Sequence, residues 1–165
     1  MDNHQIHNIL SSHPWTRTSF VGVYPSDKLP MQKKNGIYII NTDKQSESGT
    51  HWLLIRKWSG RTVYLDPFGL QPLEGDVKEW LKGQKVEISI KCIQSPSSTL
   101  CGVHCVNTAI LLEYMSLQEI LNYFSTELLS NDFLSLMILS RLLVIKTRSN
   151  IKHVDRNKVR NIHLN

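Results

Sequence analysis

The chain has 165 residues, of which 41% are hydrophobic and 20% charged, a composition typical of one globular domain with a substantial core. Its net charge is +5, and residues 141–165 alone carry +6, so the rest of the chain is nearly neutral. The longest apolar run, 133–145, is shorter than the roughly 20 residues that cross a bilayer, so we expect no membrane segment. No signal peptide is visible, and three cysteines are too few for a disulfide framework. We therefore expect an intracellular, reducing setting.

Hydrophobic periodicity divides the chain into short elements. In chain order it predicts a helix over 2–12, strands over 36–41, 51–58 and 61–66, a helix over 73–82, a strand over 86–90, and helices over 101–114, from 117 onward and over 131–146. Ser116 and Glu119 form a capping box at the start of the penultimate helix, and Asn131 or Asp132 can cap the last one. Strands precede most helices, which predicts an α+β fold with a mixed, mainly antiparallel sheet packed against helices.

The dipeptide at 59–60, Ser-Gly, is typical of a two-residue hairpin turn. Such a turn pairs Trp58 with Arg61 and makes His51 and Asp66 diagonal neighbours on one face, roughly 7–8 Å apart at Cα. A carboxylate at that distance can hold an imidazole and raise the basicity of its other nitrogen. The alternative is that His51 only begins a strand and Asp66 only begins the turn at Pro67.

Cys101 lies where a polar loop, 94–100, meets an apolar helix. The N-terminus of a helix lowers the pKa of a thiol, and a thiolate beside an imidazolium is an activated nucleophile. Gly102 leaves room for a substrate. The side-chain amide of Gln94, together with the Cys101 backbone N–H, can donate to a developing oxyanion.

Two other interpretations of the cysteines stay open. Cys92, Cys101, His104 and Cys105 have donor atoms that suit zinc, although their spacing differs from that of paired zinc knuckles, so we expect no metal. All three cysteines can also be small buried hydrophobic residues, and we expect this of Cys105 in particular.

Three segments carry a family resemblance. They are Gly-Thr-His-Trp at 49–52, Tyr-Leu-Asp-Pro-Phe-Gly at 64–69, and Gln-Ser-Pro at 94–96 followed by Cys-Gly-Val-His-Cys at 101–105. In this order they resemble the adenovirus maturation protease (adenain) family and, more broadly, the Ulp1-like group of cysteine proteases. The spacing of seven residues from Gln94 to Cys101 agrees with that family, and the resemblance covers roughly residues 18–115.

The resemblance implies a cysteine endopeptidase whose nucleophile stands at the N-terminus of a central helix. Cys101 would be that nucleophile, His51 the general base, Asp66 its orienting carboxylate and Gln94 the oxyanion donor. Family members cleave after glycine, at Gly-Gly or Gly-x-Gly sites. Trp52 would then wall a narrow substrate groove, or else be an ordinary core tryptophan.

The resemblance also implies partners and a setting. Substrates would be viral capsid or core precursor proteins, the activators DNA and a viral peptide, and the location the host nucleus and the virion, with the chain a monomer. Two alternatives remain: a deconjugase for a ubiquitin-like modifier, with the same catalytic residues, and a non-catalytic nucleic-acid- or capsid-binding protein that retains the fold.

The basic C-terminal segment either binds a polyanion such as DNA or is a solvated, solubilising tail. We divide the chain into a single protease domain, 1–147, and a basic tail, 148–165. The candidate nucleic-acid contacts are Lys146, Arg148, Lys152, Arg156, Lys158 and Arg160.

Overall fold

The computed structural model describes residues 1–72 and 75–149. The strands are β1 (Phe20–Pro25), β2 (Gly36–Asn41), β3 (Trp52–Trp58), β4 (Arg61–Leu65) and β5 (Val86–Ser89). The helices are α1 (Asn3–Ser12), α2 (Asp76–Leu81), α3 (Cys101–Leu111), α4 (Leu117–Leu121) and α5 (Leu128–Ser149), with a 3-10 turn at Ser26–Lys28. The fold is therefore α+β, as the sequence predicts.

The five strands form one sheet in the order of the chain. β3 pairs antiparallel with β2 and β4, whereas both edge strands, β1 and β5, run parallel to their neighbours. The sheet is evenly mixed, so the expectation of a mainly antiparallel sheet was wrong in this respect. The connections from β1 to β2 and from β4 to β5 each bring the chain back to the end of the sheet at which the previous strand began. The next strand therefore runs parallel to the one before it.

The predicted hairpin is confirmed together with its register. Trp58 pairs with Arg61, and Leu54 pairs with Leu65, as a two-residue turn at 59–60 requires. His51 directly precedes β3 and Asp66 directly follows β4. These two residues therefore stand side by side at the open end of the hairpin.

Alternate residues of the central strands face two different cores. One side of the sheet contributes Ile37, Ile39, Leu54, Val63 and Leu65 to a large core with α1, α3, α4 and α5. The other side packs Tyr38, Ile40, Leu53, Ile55 and Tyr64 against Val77, Trp80 and Leu81 of α2. All eleven residues of α3 are buried, so α3 is the central helix between the sheet and α5.

Several predicted helix boundaries were wrong. α2 begins at Asp76, and Leu73, where that helix was expected to start, lies outside the described residues. α5 begins at Leu128, so Asn131 and Asp132 lie inside the helix and are not its caps. The capping box of Ser116 and Glu119 is confirmed at the start of α4.

α5 is longer than the apolar run in the sequence suggested. Among the helices of the described ranges it alone is long and apolar enough to cross a membrane by length and composition, over Leu128–Ile145 with a mean hydropathy of 1.7. A core helix can meet the same criteria, and one side of α5 packs on α3. Its outer side exposes five large apolar side chains: Leu129, Phe133, Leu136, Met137 and Val144.

Gly69 fixes the turn that follows β4, and its replacement should destabilise the fold. Its φ is +72°, and a Cβ there would stand 2.7 Å from the Cys92 backbone nitrogen and 2.8 Å from the Ile90 carbonyl oxygen. We expect Gly69→Ala to lose about 1–2 kcal/mol through the left-handed conformation and a further ~1–3 kcal/mol through backbone displacement. Urea unfolding followed by tryptophan fluorescence measures the loss.

Gly60→Ala is the matched control, because Gly60 has a φ of +77° and nothing within 4 Å of its hypothetical Cβ. Gly60→Ala should lose only about 1–2 kcal/mol of unfolding free energy, which is what the left-handed conformation costs. Equal losses in the two variants would show that the turn does not pack tightly against the segment at 90–92.

Candidate active site

His51 and Asp66 are in direct contact, as the hairpin register predicts. His51 Nε2 and Asp66 Oδ1 are 2.8 Å apart, and both side chains are largely buried. The Phe68 backbone N–H donates to the same oxygen at 2.8 Å, and the Phe68 ring stacks on the imidazole with 4.7 Å between centroids. The turn after β4 therefore fixes both the carboxylate and the plane of the ring.

Cys101 is the first residue of α3, and its thiol lies near enough to His51 that each group shifts the pKa of the other. Because Asp66 engages Nε2, the nitrogen left for the thiol is Nδ1. Backbone groups of Trp52 and Gly102 lie near the sulfur and also lower the pKa of Cys101. A thiol, an imidazole and a carboxylate thus lie in sequence across the start of α3 and the hairpin, with a direct hydrogen bond between the imidazole and the carboxylate.

The pKa values of the two reactive groups move in opposite directions. Burial by itself lowers the pKa of His51, but hydrogen bonds and charge from Asp66 and Cys101 outweigh burial and raise it to about 9. Burial by itself raises the pKa of Cys101, but the hydrogen bonds and charge supplied mainly by His51 bring it below its ordinary value. Between these two pKa values the pair can exist as thiolate and imidazolium.

Gln94 lies in the loop before α3 with only 1% of its surface exposed. Its Nε2 donates one hydrogen to the Ser98 carbonyl oxygen at 2.7 Å, and its Oε1 is buried without a partner among the described residues. The second amide hydrogen has no hydrogen-bond partner among the described residues. The predicted role of Gln94 as an oxyanion donor stays a prediction.

Trp52 and Gly102 lie beside the thiol. The Trp52 indole N–H donates to the Met1 carbonyl oxygen at 3.1 Å, and the indole lines a surface cleft of about 800 Å³. A Cβ on Gly102 would stand 3.1 Å from the Met1 side chain and 3.2 Å from the Trp52 side chain, so a larger residue there would require these side chains to shift by a few tenths of an ångström. Direct substrate contact by either residue stays a prediction.

The other two thiols have different surroundings. Cys105 is fully buried, its thiol donates to the Trp52 carbonyl oxygen at 3.3 Å, and burial raises its pKa well above the ordinary value. Cys92 is half-buried beside the Gln94 carbonyl oxygen. Within the part of the chain that the structure describes, no cluster of three His, Cys, Asp or Glu side chains could hold a metal ion.

A second polar cluster, formed by His104, Asp132 and Ser135, was not predicted from the sequence. His104, considered above as a metal ligand, contacts Asp132 through Nε2 at 2.9 Å and Ser135 through Nδ1 at 2.8 Å. Asp132 and Ser135 are three residues apart on α5, as Cys101 and His104 are on α3, so each pair shares one helix face. That spacing was visible in the sequence, but the packing of α3 on α5 was not.

The predicted nucleic-acid contacts are mostly beyond the described residues. Lys152, Arg156, Lys158 and Arg160 lie outside the described residues, and Lys146 and Arg148 belong to the last turns of α5. Their role in binding DNA stays a prediction.

No known protein family matches the chain, and no curated protein matches its sequence. A functional assignment therefore rests on the chemistry of the site itself. That chemistry is of the kind used in nucleophilic catalysis, in which an oriented base activates a thiol at a helix N-terminus.

We expect iodoacetamide to alkylate Cys101 faster than Cys92 near pH 7 and to leave Cys105 unmodified in the native protein. His51→Ala should slow the Cys101 reaction about tenfold or more, because the thiol loses the partner that lowers its pKa. Peptide mapping by mass spectrometry measures each site. His4→Ala, which removes an exposed imidazole on α1, is the control and should change nothing. Equal effects of the two substitutions would contradict the pairing of His51 with Cys101.

Proposed function

We propose that the chain is a cysteine endopeptidase similar to viral maturation proteases of the adenain family, with the Ulp1-like protease fold. The observation that carries this proposal is the His51–Asp66 hydrogen bond beside Cys101, which is the first residue of a buried helix and shifts the pKa of His51. A five-stranded sheet with α3 packed across its centre supports the fold assignment.

The geometry supports amide hydrolysis through a thioester. The Cys101 thiolate attacks the scissile carbonyl carbon, and the oxyanion accepts hydrogen bonds from the Cys101 backbone N–H and the free amide hydrogen of Gln94. The imidazolium of His51 gives its proton to the leaving amine as the carbon–nitrogen bond breaks. His51 then takes a proton from water, whose oxygen attacks the thioester carbon; the carbon–sulfur bond breaks, which releases the carboxylic acid and restores the Cys101 thiolate beside the His51 imidazolium.

The burial of the site supports a preference for glycine. Cys101 is 6% exposed, and the side chains of His51 and Asp66 are 14% and 5% exposed. A substrate must therefore bring its scissile carbonyl to a largely buried thiol, where a residue without a side chain fits best. We propose cleavage after glycine, at Gly-Gly or Gly-x-Gly sequences of capsid or core precursors.

His51 and Cys101 shift the pKa of each other within the single chain, so the chain itself brings them together. We therefore expect measurable turnover without an activating peptide. DNA bound by the basic tail would then act on substrate encounter through charge, with a strong dependence on salt.

The test is turnover of a fluorogenic Leu-x-Gly-Gly peptide, with and without duplex DNA. Cys101→Ala should abolish turnover, whereas Cys105→Ala should keep most of it, because Cys105 is sealed in the core with a raised pKa. Turnover should decline as the pH rises through about 9, where His51 loses its proton.

Turnover that survives Cys101→Ala, or that is lost only in Cys105→Ala, would overturn the assignment of the nucleophile. Cleavage of ubiquitin-like fusions but of no peptide would favour the deconjugase. The absence of cleavage on both substrate sets would favour the non-catalytic alternative.

A further inference from the structure

A buried carboxylate, Asp132, lies between the two parts of the chain that carry Gln94 and Cys101. Its Oδ1 accepts from His104 Nε2 at 2.9 Å, and its Oδ2 accepts from the Ser95 backbone N–H at 3.4 Å. Ser95 directly follows Gln94, and His104 lies one helical turn after Cys101. One side chain of α5 therefore connects the loop at 94–100, here called the Gln94 loop, to the first turn of α3.

The cluster around Asp132 contains a serine, a histidine and an aspartate, but it has no access to a substrate. Ser135 and His104 have no exposed surface, and Asp132 is 6% exposed. Burial also lowers the pKa of His104, although Asp132 opposes this, so the ring is neutral near pH 7. A neutral ring with its hydrogen on Nε2 donates to Asp132 and accepts from the Ser135 hydroxyl, which satisfies all three groups.

The position of this cluster on α5 is unusual for a helix at the surface of a domain. The inner face of α5 contributes buried Asn131, Asp132 and Ser135 in its first turns and buried Ile138 and Leu142 further along, whereas Phe133 and Met137 are exposed. A helix ordinarily buries its apolar face, and a buried carboxylate is unfavourable unless it is fully hydrogen bonded. The contacts that Asp132 makes, rather than hydrophobic packing, therefore explain why a carboxylate lies there.

The Gln94 loop is also fixed on its other side. The backbone N–H of Gln94 donates to the Pro67 carbonyl oxygen at 3.1 Å, and Pro67 directly follows Asp66. The main chain at 94–95 is thus held between the turn that orients His51 and the carboxylate that holds His104. Loss of the second contact would leave the loop hydrogen bonded to the hairpin but no longer connected through Asp132 to His104.

We propose that Asp132 is a positioning residue that sets the separation between the Gln94 amide and the Cys101 backbone N–H, the two donors of the predicted oxyanion hole. This proposal rests on the proposed protease function. Asp132 acts on the oxyanion and not on the thiolate, because its contacts reach the Gln94 loop and α3 but not His51.

The test is a double-mutant cycle of Asp132→Asn and Gln94→Ala in the full chain. Asparagine has the shape of aspartate but only one acceptor oxygen, so either Ser95 or His104 loses its partner. Gln94→Ala should lower kcat about 10²–10³-fold, as the loss of an oxyanion donor does. We expect Asp132→Asn to lower kcat about tenfold, with KM changed less than about twofold. The loss is smaller than that of Gln94→Ala because the oxyanion donor is displaced and not removed.

The cycle separates positioning from general destabilisation. If Asp132 acts through Gln94, Asp132→Asn should change kcat less than about twofold in the Gln94→Ala background. The rate at which iodoacetamide alkylates Cys101 should stay within about twofold of wild type in every variant, because the thiolate is intact. Independent, multiplicative losses in kcat, or a slowed alkylation, would overturn the proposal.

Ser135→Ala is the matched control, since Ser135 is equally buried on α5 and contacts His104 on the nitrogen away from Asp132. It should lower the melting temperature by an amount comparable to Asp132→Asn while keeping kcat near wild type. A loss of kcat equal to that of Asp132→Asn would reduce Asp132 to a purely structural residue.

Amide hydrogen exchange keeps this proposal distinct from the protease assignment. Exchange at the Ser95 N–H should accelerate in Asp132→Asn but not in Ser135→Ala, whatever the substrate. Accelerated exchange in a protein that cleaves nothing would overturn the protease function and leave the connection through Asp132 established. Unchanged exchange at Ser95 would overturn the connection itself.

Discussion

At the open end of the β3–β4 hairpin, the carboxylate of Asp66 holds the ring of His51, and the rest of the site is arranged around that ring. The contact depends on strand register, since a slip of one residue would move one of the two side chains to the opposite face of the sheet. The turn at 59–60 sets that register at one end of the hairpin. At the other end, Phe68 contributes both an N–H to Asp66 and a ring stacked on His51.

Burial makes this arrangement electrostatically demanding. A thiolate or an imidazolium alone in a largely buried site would be neutralised by a shift of its pKa, whereas the two together stabilise each other. Because Asp66 supplies a further negative charge, the imidazolium is favoured even though burial opposes it. Cys105, only one turn further along α3, has no such partner, and its pKa moves the other way. The same residue type on one helix thus has two different chemical characters.

The parts of the site that are local in sequence could be predicted, and the parts that depend on helix packing could not. The hairpin turn, the His51–Asp66 contact and the start of α3 at Cys101 follow from short patterns. The strand β1 was not predicted, because Gly22 interrupts a run of apolar residues that is only half-buried. Without β1 and its parallel pairing with β2, the sheet is expected to be mainly antiparallel. Asp132 looked like a helix cap because its partner, His104, is 28 residues away and is brought near only when α5 packs on α3.

The central claim is that His51 is an imidazolium paired with the Cys101 thiolate at neutral pH, and an NMR titration of the histidine rings tests it most directly. In the wild-type protein the His51 ring should keep its proton until the pH approaches about 9. In Cys101→Ala its pKa should fall, because the thiolate that favours the charged ring is gone, although Asp66 remains. A wild-type His51 that titrates near the ordinary value of roughly 6.5, unchanged in Cys101→Ala, would contradict the account.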